Sequence, residues 1–303
     1  MALRNHEHAV PSNPKNLVWA IFINSIIVIA EVSFGILAGS MALISEALHN
    51  FTDIGSMSLS WWGEQVSARP NTNQKTYGYK RVEVIIAFVN GGILLGVSGW
   101  VLAASVIRIF HPEQVAGFTM LIVAVISLLG NGLAAYILEK DAKKNLNLKS
   151  AWLHSMQDAL FSLGIVIAAV IIYFTGWNRI DPVVSIAVSL FLLKEVYGIP
   201  AESLNMLLDS VPKDVNFEEV KAKLSAQAGI IEVGDLHIWQ TGSESLFLSA
   251  HLKIAELDAK PRMELIANIQ SLLDRQYRIS HATLQMVSAH ESEMLDLACR
   301  HCN

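Results

Sequence analysis

Six apolar segments follow one another in the first two thirds of the chain. Each is close to the ~20 residues that a helix needs to cross the hydrocarbon of a bilayer. They cover residues 17–38, 40–62, 83–107, 117–138, 151–174 and, shorter than the rest, 182–197. Lipid offers no partner for a free N–H or C=O, so segments of this kind are committed to helices. Composition agrees. The 303 residues are 52% hydrophobic and 16% charged, where a soluble domain carries about 25% charged residues. The net charge of −5 lacks the basic excess of a nucleic-acid binder, and no such partner is expected. The first sixteen residues are polar and have no apolar core, so they read as a tail (1–16) rather than a cleaved signal. The membrane domain then covers 17–199.

After Pro200 the pattern changes. FEEVKAKLSAQ and RMELIANIQSLLDRQ have the spacing of amphipathic helices. DLHIWQT, SLFLSAHLKIAEL and HATLQMVSA read as short strands. The order helix, strand, strand, helix, strand predicts a small α+β domain over 200–290. A tail, 291–303, carries both cysteines of the chain, Cys299 and Cys302, in CRHC. Two cysteines so placed cannot build an internal disulfide framework and point to metal or redox chemistry.

Basic residues orient the helices. Arg4 and Lys15 precede the first segment. Arg69, Lys75, Lys80 and Arg81 lie between the second and third, and Lys140, Lys143, Lys144 and Lys149 between the fourth and fifth. The opposite connections carry little beyond Arg108 and Arg179. By the positive-inside rule both termini and the α+β domain are cytoplasmic. A short chain without long loops fits a multi-pass protein of a bacterial inner membrane.

The second segment contains ALHNFTDIG, with His49 and Asp53 one helical turn apart. The fifth contains LHSMQD, with His154 and Asp158 at the same spacing. A charged Asp at the bilayer centre costs about 2.5–3.5 kcal/mol, so two of them need compensation. If the two helices meet, two nitrogens and two carboxylates surround one point. Such a set suits a tetrahedral divalent cation, Zn²⁺ first, whereas Mg²⁺ and Ca²⁺ favour more oxygens. Ni²⁺, Co²⁺ and Cu²⁺ stay open by ligand type. A lone intramembrane His is more often a hydrogen-bonding residue. Two matched pairs are not explained that way. The same four groups bind protons, so metal and protons compete for them.

Three other classes could use such residues. A haem held by His49 and His154 needs no aspartate at i+4. An intramembrane zinc hydrolase would need a general base such as the Glu of HExxH, and no such motif is present, so no enzyme is expected. A metal sensor that does not transport would keep the ligands and lack flux.

The chain resembles the cation diffusion facilitators, in their zinc-efflux branch. The stretches that carry the resemblance are GSMALISEALHNFTD, YGYKRVE, KNLNLKSAWLHSMQDALFSLG, TGWNRIDPVVSIAVSLFLL and DLHIWQTG. The resemblance implies six transmembrane helices, a ferredoxin-like cytoplasmic domain, a homodimer, and proton-coupled export of Zn²⁺, with Cd²⁺ often accepted. It implies a transport site at His49, Asp53, His154 and Asp158, and a charge lock between Arg81 and Asp209. It also implies a cytoplasmic metal site at His251, Cys299 and Cys302, with His237 nearby. There the chain reads VGDLHIW where relatives commonly have VHDLHIW, and Val287 stands where an acidic ligand is common, so the usual site is depleted. No His-rich loop joins the fourth and fifth helices, and His6 and His8 lie in the N-terminal tail.

Other polar residues within the spans have structural readings. Asn24, Glu31, Glu46, Asn90 and Asn131 are expected to hydrogen-bond between helices. A boundary position or a proton path is the second reading for Glu31, Glu46 and Glu83. Asp181, just before Pro182, reads as the cap of the sixth helix. The glycines of NGGILLGVSG allow close helix approach.

Overall fold

The computed structural model describes residues 25, 28–142, 146–242 and 245–288. The N-terminal tail, the start of the first segment with Asn24, and the C-terminal tail with Cys299 and Cys302 lie outside these residues. The chain forms two compact units, one drawn from Met1–Trp62 and Ala87–Pro200, the other from Gly63–Ile86 and Ala201–Asn303.

The first unit is helical: α1 (Val28–Ala38), α2 (Met41–Ser67), α3 (Arg81–Phe110), α4 (Gly117–Ala142), α5 (Leu146–Thr175), α6 (Ile180–Val196) and the start of α7 (Gly198–Leu207). Four helices among the described residues are long and apolar enough to cross a membrane: Arg81–Phe110, Gly117–Ile137, Trp152–Thr175, and Ile180–Leu207, which joins α6 to α7. The helix α2, with 27 residues, is long enough but carries Glu46, His49, Asn50, Asp53 and Glu64. The described part of the first segment is Val28–Ala38. The helical stretch beyond Tyr197 was not anticipated. Pro200 falls in the first turn of α7, where its missing N–H is least needed.

Small residues set the packing. Ala42 and Leu43 of α2, Met120, Val123 and Ala124 of α4, and Ile165, Ala168, Ala169 and Ile172 of α5 form one buried cluster. A Cβ on Gly117 would come within 2.8 Å of the Tyr173 backbone nitrogen, so α4 and α5 approach through a glycine. On α3, a Cβ on Gly91 would meet Pro200 Cδ at 2.7 Å, whereas Gly92, Gly96 and Gly99 face no near neighbour among the described residues. The close-approach reading of NGGILLGVSG therefore holds at Gly91. The faces turned away from the cluster are apolar and exposed, for instance Leu129, Leu133 and Ile137 at helical spacing on α4, as a helix against lipid requires.

The second unit has the expected αββαβ order: α8 (Phe217–Ser225), β1 (Ile230–Gly242), β2 (Ser245–Ile254), α9 (Ala259–Tyr277) and β3 (His281–Ser288). β1 and β2 are antiparallel, β2 and β3 parallel, in spatial order β1-β2-β3. Val220 and Leu224 of α8 and Leu265, Ile269 and Leu273 of α9 cover Leu248, Leu252 and Ile254 of β2. Asn216 caps α8, its side chain accepting from the Glu219 N–H at 3.1 Å. α9 ends on Arg278 in the left-handed region (φ 57°). The β1 register shifts between Gly234 and His237, and Asp235 there has φ 45°.

Candidate metal centre

The first turn of α2 is held from outside. Asp181 accepts hydrogen bonds from Ser40 Oγ at 2.5 Å, Met41 N at 2.8 Å and Ala42 N at 3.2 Å. It lies inside the first turn of α6, whose N-cap position is taken by Arg179. The expectation that Asp181 caps the sixth helix is thus corrected: it caps the second. The reason is that α2 begins with unpaired N–H groups and a positive dipole end, buried where no water can serve them. Ser45 Oγ meets Ser185 Oγ at 2.6 Å and ties the same stretch to α6 again.

One to two turns further along α2, His49 and Asp53 face His154 and Asp158 of α5. His49 Nε2 donates to Asp158 Oδ1 at 3.1 Å, and His154 Nε2 donates to Asp53 Oδ2 at 3.1 Å. The two same-helix contacts are longer, 3.9 Å for His49–Asp53 and 3.7 Å for His154–Asp158. Each imidazole nitrogen therefore lies between both carboxylates, and the four residues close a ring. The ligand atoms of His49, Asp53 and His154 lie within 4.8 Å of one another. Asp158 completes the ring through its contacts with both imidazoles.

These spacings fit a metal. A tetrahedral centre with arms of about 2.1 Å sets its ligand atoms ~3.4 Å apart, and 3.1, 3.1, 3.7 and 3.9 Å bracket that value. They also fit protons, since a 3.1 Å N–H···O contact is an ordinary hydrogen bond. Two protonated imidazoles, or one divalent cation, each bring two aspartates to zero net charge. The imidazole centroids are 5.7 Å apart and set edge to face, with both Nε2 atoms turned toward the carboxylates. That leaves no slot for a porphyrin between them. The ring is closed at one edge and open at the other. The His49 and Asp158 side chains are 5% and 11% exposed, those of Asp53 and His154 20% and 32%.

In the second unit, Arg81 Nη2 donates to Asp209 Oδ1 at 2.5 Å, with both side chains about half exposed. His237 Nε2 lies 2.9 Å and His251 Nε2 3.6 Å from the two oxygens of Asp235. Asp235 was missed at the level of sequence. Its signal was the i, i+2 spacing to His237 in DLHIW; the Gly234–His251 pairing that brings His251 close as well is seen only in the fold.

Comparison with known proteins decides the family. Residues 17–208 match the family model "Cation efflux transmembrane domain", and residues 212–288 match "Cation efflux protein, cytoplasmic domain". The chain belongs to the cation efflux family. The zinc transporter ZitB of Yersinia pestis is 35% identical over 283 residues, covering 92% of this chain and 89% of that one. The metal cation efflux system protein CzcD of Cupriavidus metallidurans is 32% identical over 281 residues, with the same coverage. A cadmium, cobalt and zinc/H(+)-K(+) antiporter of Bacillus velezensis is 31% identical over 299 residues, covering 98% and 95%. The cation efflux proteins are transporters.

Proposed function

We propose that this cation efflux protein is a proton-coupled exporter of Zn²⁺, with Cd²⁺ as a second substrate, and that His49, Asp53, His154 and Asp158 are its transport site. The observation that carries the reading is the ring itself: one set of atoms whose spacing and charge accept either a divalent cation or protons. Metal needs neutral imidazole and ionised carboxylate, so loading releases protons and reprotonation releases metal. A ring that alternates its access between two sides then exchanges one for the other. The open Asp53–His154 edge lies toward the C-terminal end of α2 and the N-terminal end of α5. Those are the ends that the basic residues assign to the cytoplasm of an inner-membrane protein with both termini inside, so loading starts there.

The cytoplasmic domain, over 200–290, is assigned a homodimer contact, which the match to the cytoplasmic-domain family model supports. The Arg81–Asp209 pair is assigned the role of a charge lock at the junction with α3. His251, with Cys299 and Cys302, is assigned a regulatory Zn²⁺ site, with His237 and Asp235 beside it.

The deciding experiment is flux in proteoliposomes, following Zn²⁺ with an internal dye, with and without an imposed pH gradient, for wild type and Asp53→Ala. Gradient-driven uptake in wild type and none in the variant supports exchange at the ring. Binding of Zn²⁺ without movement in either protein would make the chain a sensor.

A further inference from the structure

Beside the metal ring, α2 and α5 take part in a second closed polar ring. Asn50 Nδ2 donates to Glu31 Oε2 at 2.9 Å, and Ser127 Oγ donates to the other Glu31 oxygen. Asn131 Nδ2 donates to Ser162 Oγ at 3.3 Å, and Ser162 Oγ donates to Glu46 Oε1. Glu46 and Asn50 stand one turn apart on α2, and Ser127 and Asn131 one turn apart on α4. The ring therefore closes through α1, α2, α4 and α5. Both carboxylates are buried, Glu31 at 1% and Glu46 at 2% exposure. The second oxygen of Glu46 has no hydrogen-bond partner among the described residues.

The charge of this ring does not close. The metal ring holds two imidazoles against two carboxylates. The second ring holds two carboxylates against three neutral donors, Asn50, Ser127 and Ser162, with no basic side chain among their hydrogen-bond partners in the described residues. An ionised carboxylate accepts at about four positions, and an uncompensated charge is what a membrane interior tolerates least. Helix-to-helix adhesion alone would be served by an amide. The titratable groups acting on the pair are Asp158 of α5 and His49 of α2 on Glu31, and Glu31 of α1 and Asp158 of α5 on Glu46. α4 contributes only Ser127 and Asn131.

We propose that Glu46, paired with Glu31, is a proton-binding station coupled to the metal ring: it carries a proton while the ring is free of metal and releases it when a divalent cation enters. The inference rests on the exchange reading above. On release the Oε2–H bond of Glu46 breaks, the electron pair stays on the carboxylate and the proton leaves to water. Coupling follows from position. Glu46 lies one turn before His49 on α2, and its donor Ser162 one turn after Asp158 on α5. A metal-free ring that holds fewer than two protons is more negative than the metal-loaded ring, so a cation held by His49 and Asp158 favours the ionised acid relative to that state. By reciprocity, a proton on Glu46 weakens the hold on the cation.

The test is the number of protons released per Zn²⁺ bound by the full-length protein in detergent, from calorimetry in buffers of different ionisation enthalpy. Glu46→Gln is expected to release about one proton fewer than wild type and to flatten the pH dependence of affinity accordingly, and Glu46→Asp to restore both. Glu31→Gln, which removes the negative neighbour that helps Glu46 keep its proton, is expected to lower the count too and serves if Glu46→Gln does not fold. Proton release equal to wild type in Glu46→Gln, or in Glu31→Gln if that is the folded variant, overturns the station. The binding count is read without transport. A wild type that moves no Zn²⁺ would sink the exchange reading, whereas an unchanged count in a protein that does move Zn²⁺ would sink the station alone.

Discussion

His49 lies closer to Asp158, 109 residues away on another helix, than to Asp53, its own i+4 neighbour: 3.1 Å against 3.9 Å. The other imidazole of the ring repeats this, with His154 nearer Asp53 than Asp158. The tight pairs are therefore crossed between α2 and α5. A double-mutant cycle on unfolding in detergent, without metal, is expected to give a larger coupling for His49 with Asp158 than for His49 with Asp53. Charge-assisted contacts of this kind fall at about 1.5–3 kcal/mol, and the longer contact at roughly half of that or less. Equal couplings would mean that the crossing has no energetic weight.

Asp158→Ala is expected to abolish metal flux and to weaken Zn²⁺ binding by more than about 100-fold, beyond the usual effect of losing an outer-shell partner. The helices should still form and insert, because the removed group is a costly one for the bilayer. Far-ultraviolet circular dichroism and size-exclusion chromatography check the fold. A variant that fails to fold would mark Asp158 as structural.

Affinity for Zn²⁺ should fall with falling pH. The metal-free ring binds protons on the same Nε2 and carboxylate atoms that the metal needs, and the metal-bound ring does not. The sign is therefore fixed: acid favours the free state. Isothermal titrations at a series of pH values should show a continuous decline toward acid. An affinity independent of pH would remove competition as the coupling mechanism.

Asp181→Ala removes the acceptor of one hydroxyl and two backbone N–H groups at the buried start of α2. The expected loss of stability is about 2–3 kcal/mol, from an uncapped helix and stranded donors. Asp181→Asn, which keeps one acceptor, should lose less. Denaturant titration in detergent measures both, and equal stability of wild type and Asp181→Ala would contradict the cap.

The Arg81–Asp209 pair is half exposed, so breaking it should change stability by less than about 1 kcal/mol. Its proposed role as a lock predicts a loss of flux out of proportion to that change, for Arg81→Ala and Asp209→Ala alike. Charge exchange, Arg81→Asp with Asp209→Arg, should restore part of it. Flux unchanged in the single variants would reduce the pair to an ordinary surface contact.

Cys299→Ser with Cys302→Ser is expected to lower the number of Zn²⁺ bound per chain, measured by equilibrium dialysis, while leaving flux intact. An unchanged number would remove the thiols from metal binding.

The sequence by itself determined that the chain is a helical membrane protein with an appended αββαβ domain, because apolar run length and alternation are local properties. It also determined which four side chains are out of place in lipid, since a His and an Asp at i, i+4 inside an apolar span declare themselves by their cost. Only the tertiary structure decided how those four are wired. Helix periodicity places His49 with Asp53, but the rotation of α2 against α5 places His49 with Asp158. The same holds for Asp181. Its position before Pro182 suggests a cap for its own helix, yet the donors that lack partners are those of α2, 140 residues earlier. Glu31 and Glu46 read one at a time as polar adhesives. Their pairing in one buried ring depends on α1, α2, α4 and α5 meeting at a single level. Local spacing determines which groups a helix carries. Which groups share a low-dielectric space, and so which charges must be balanced together, is set by the packing of helices that are far apart in the chain.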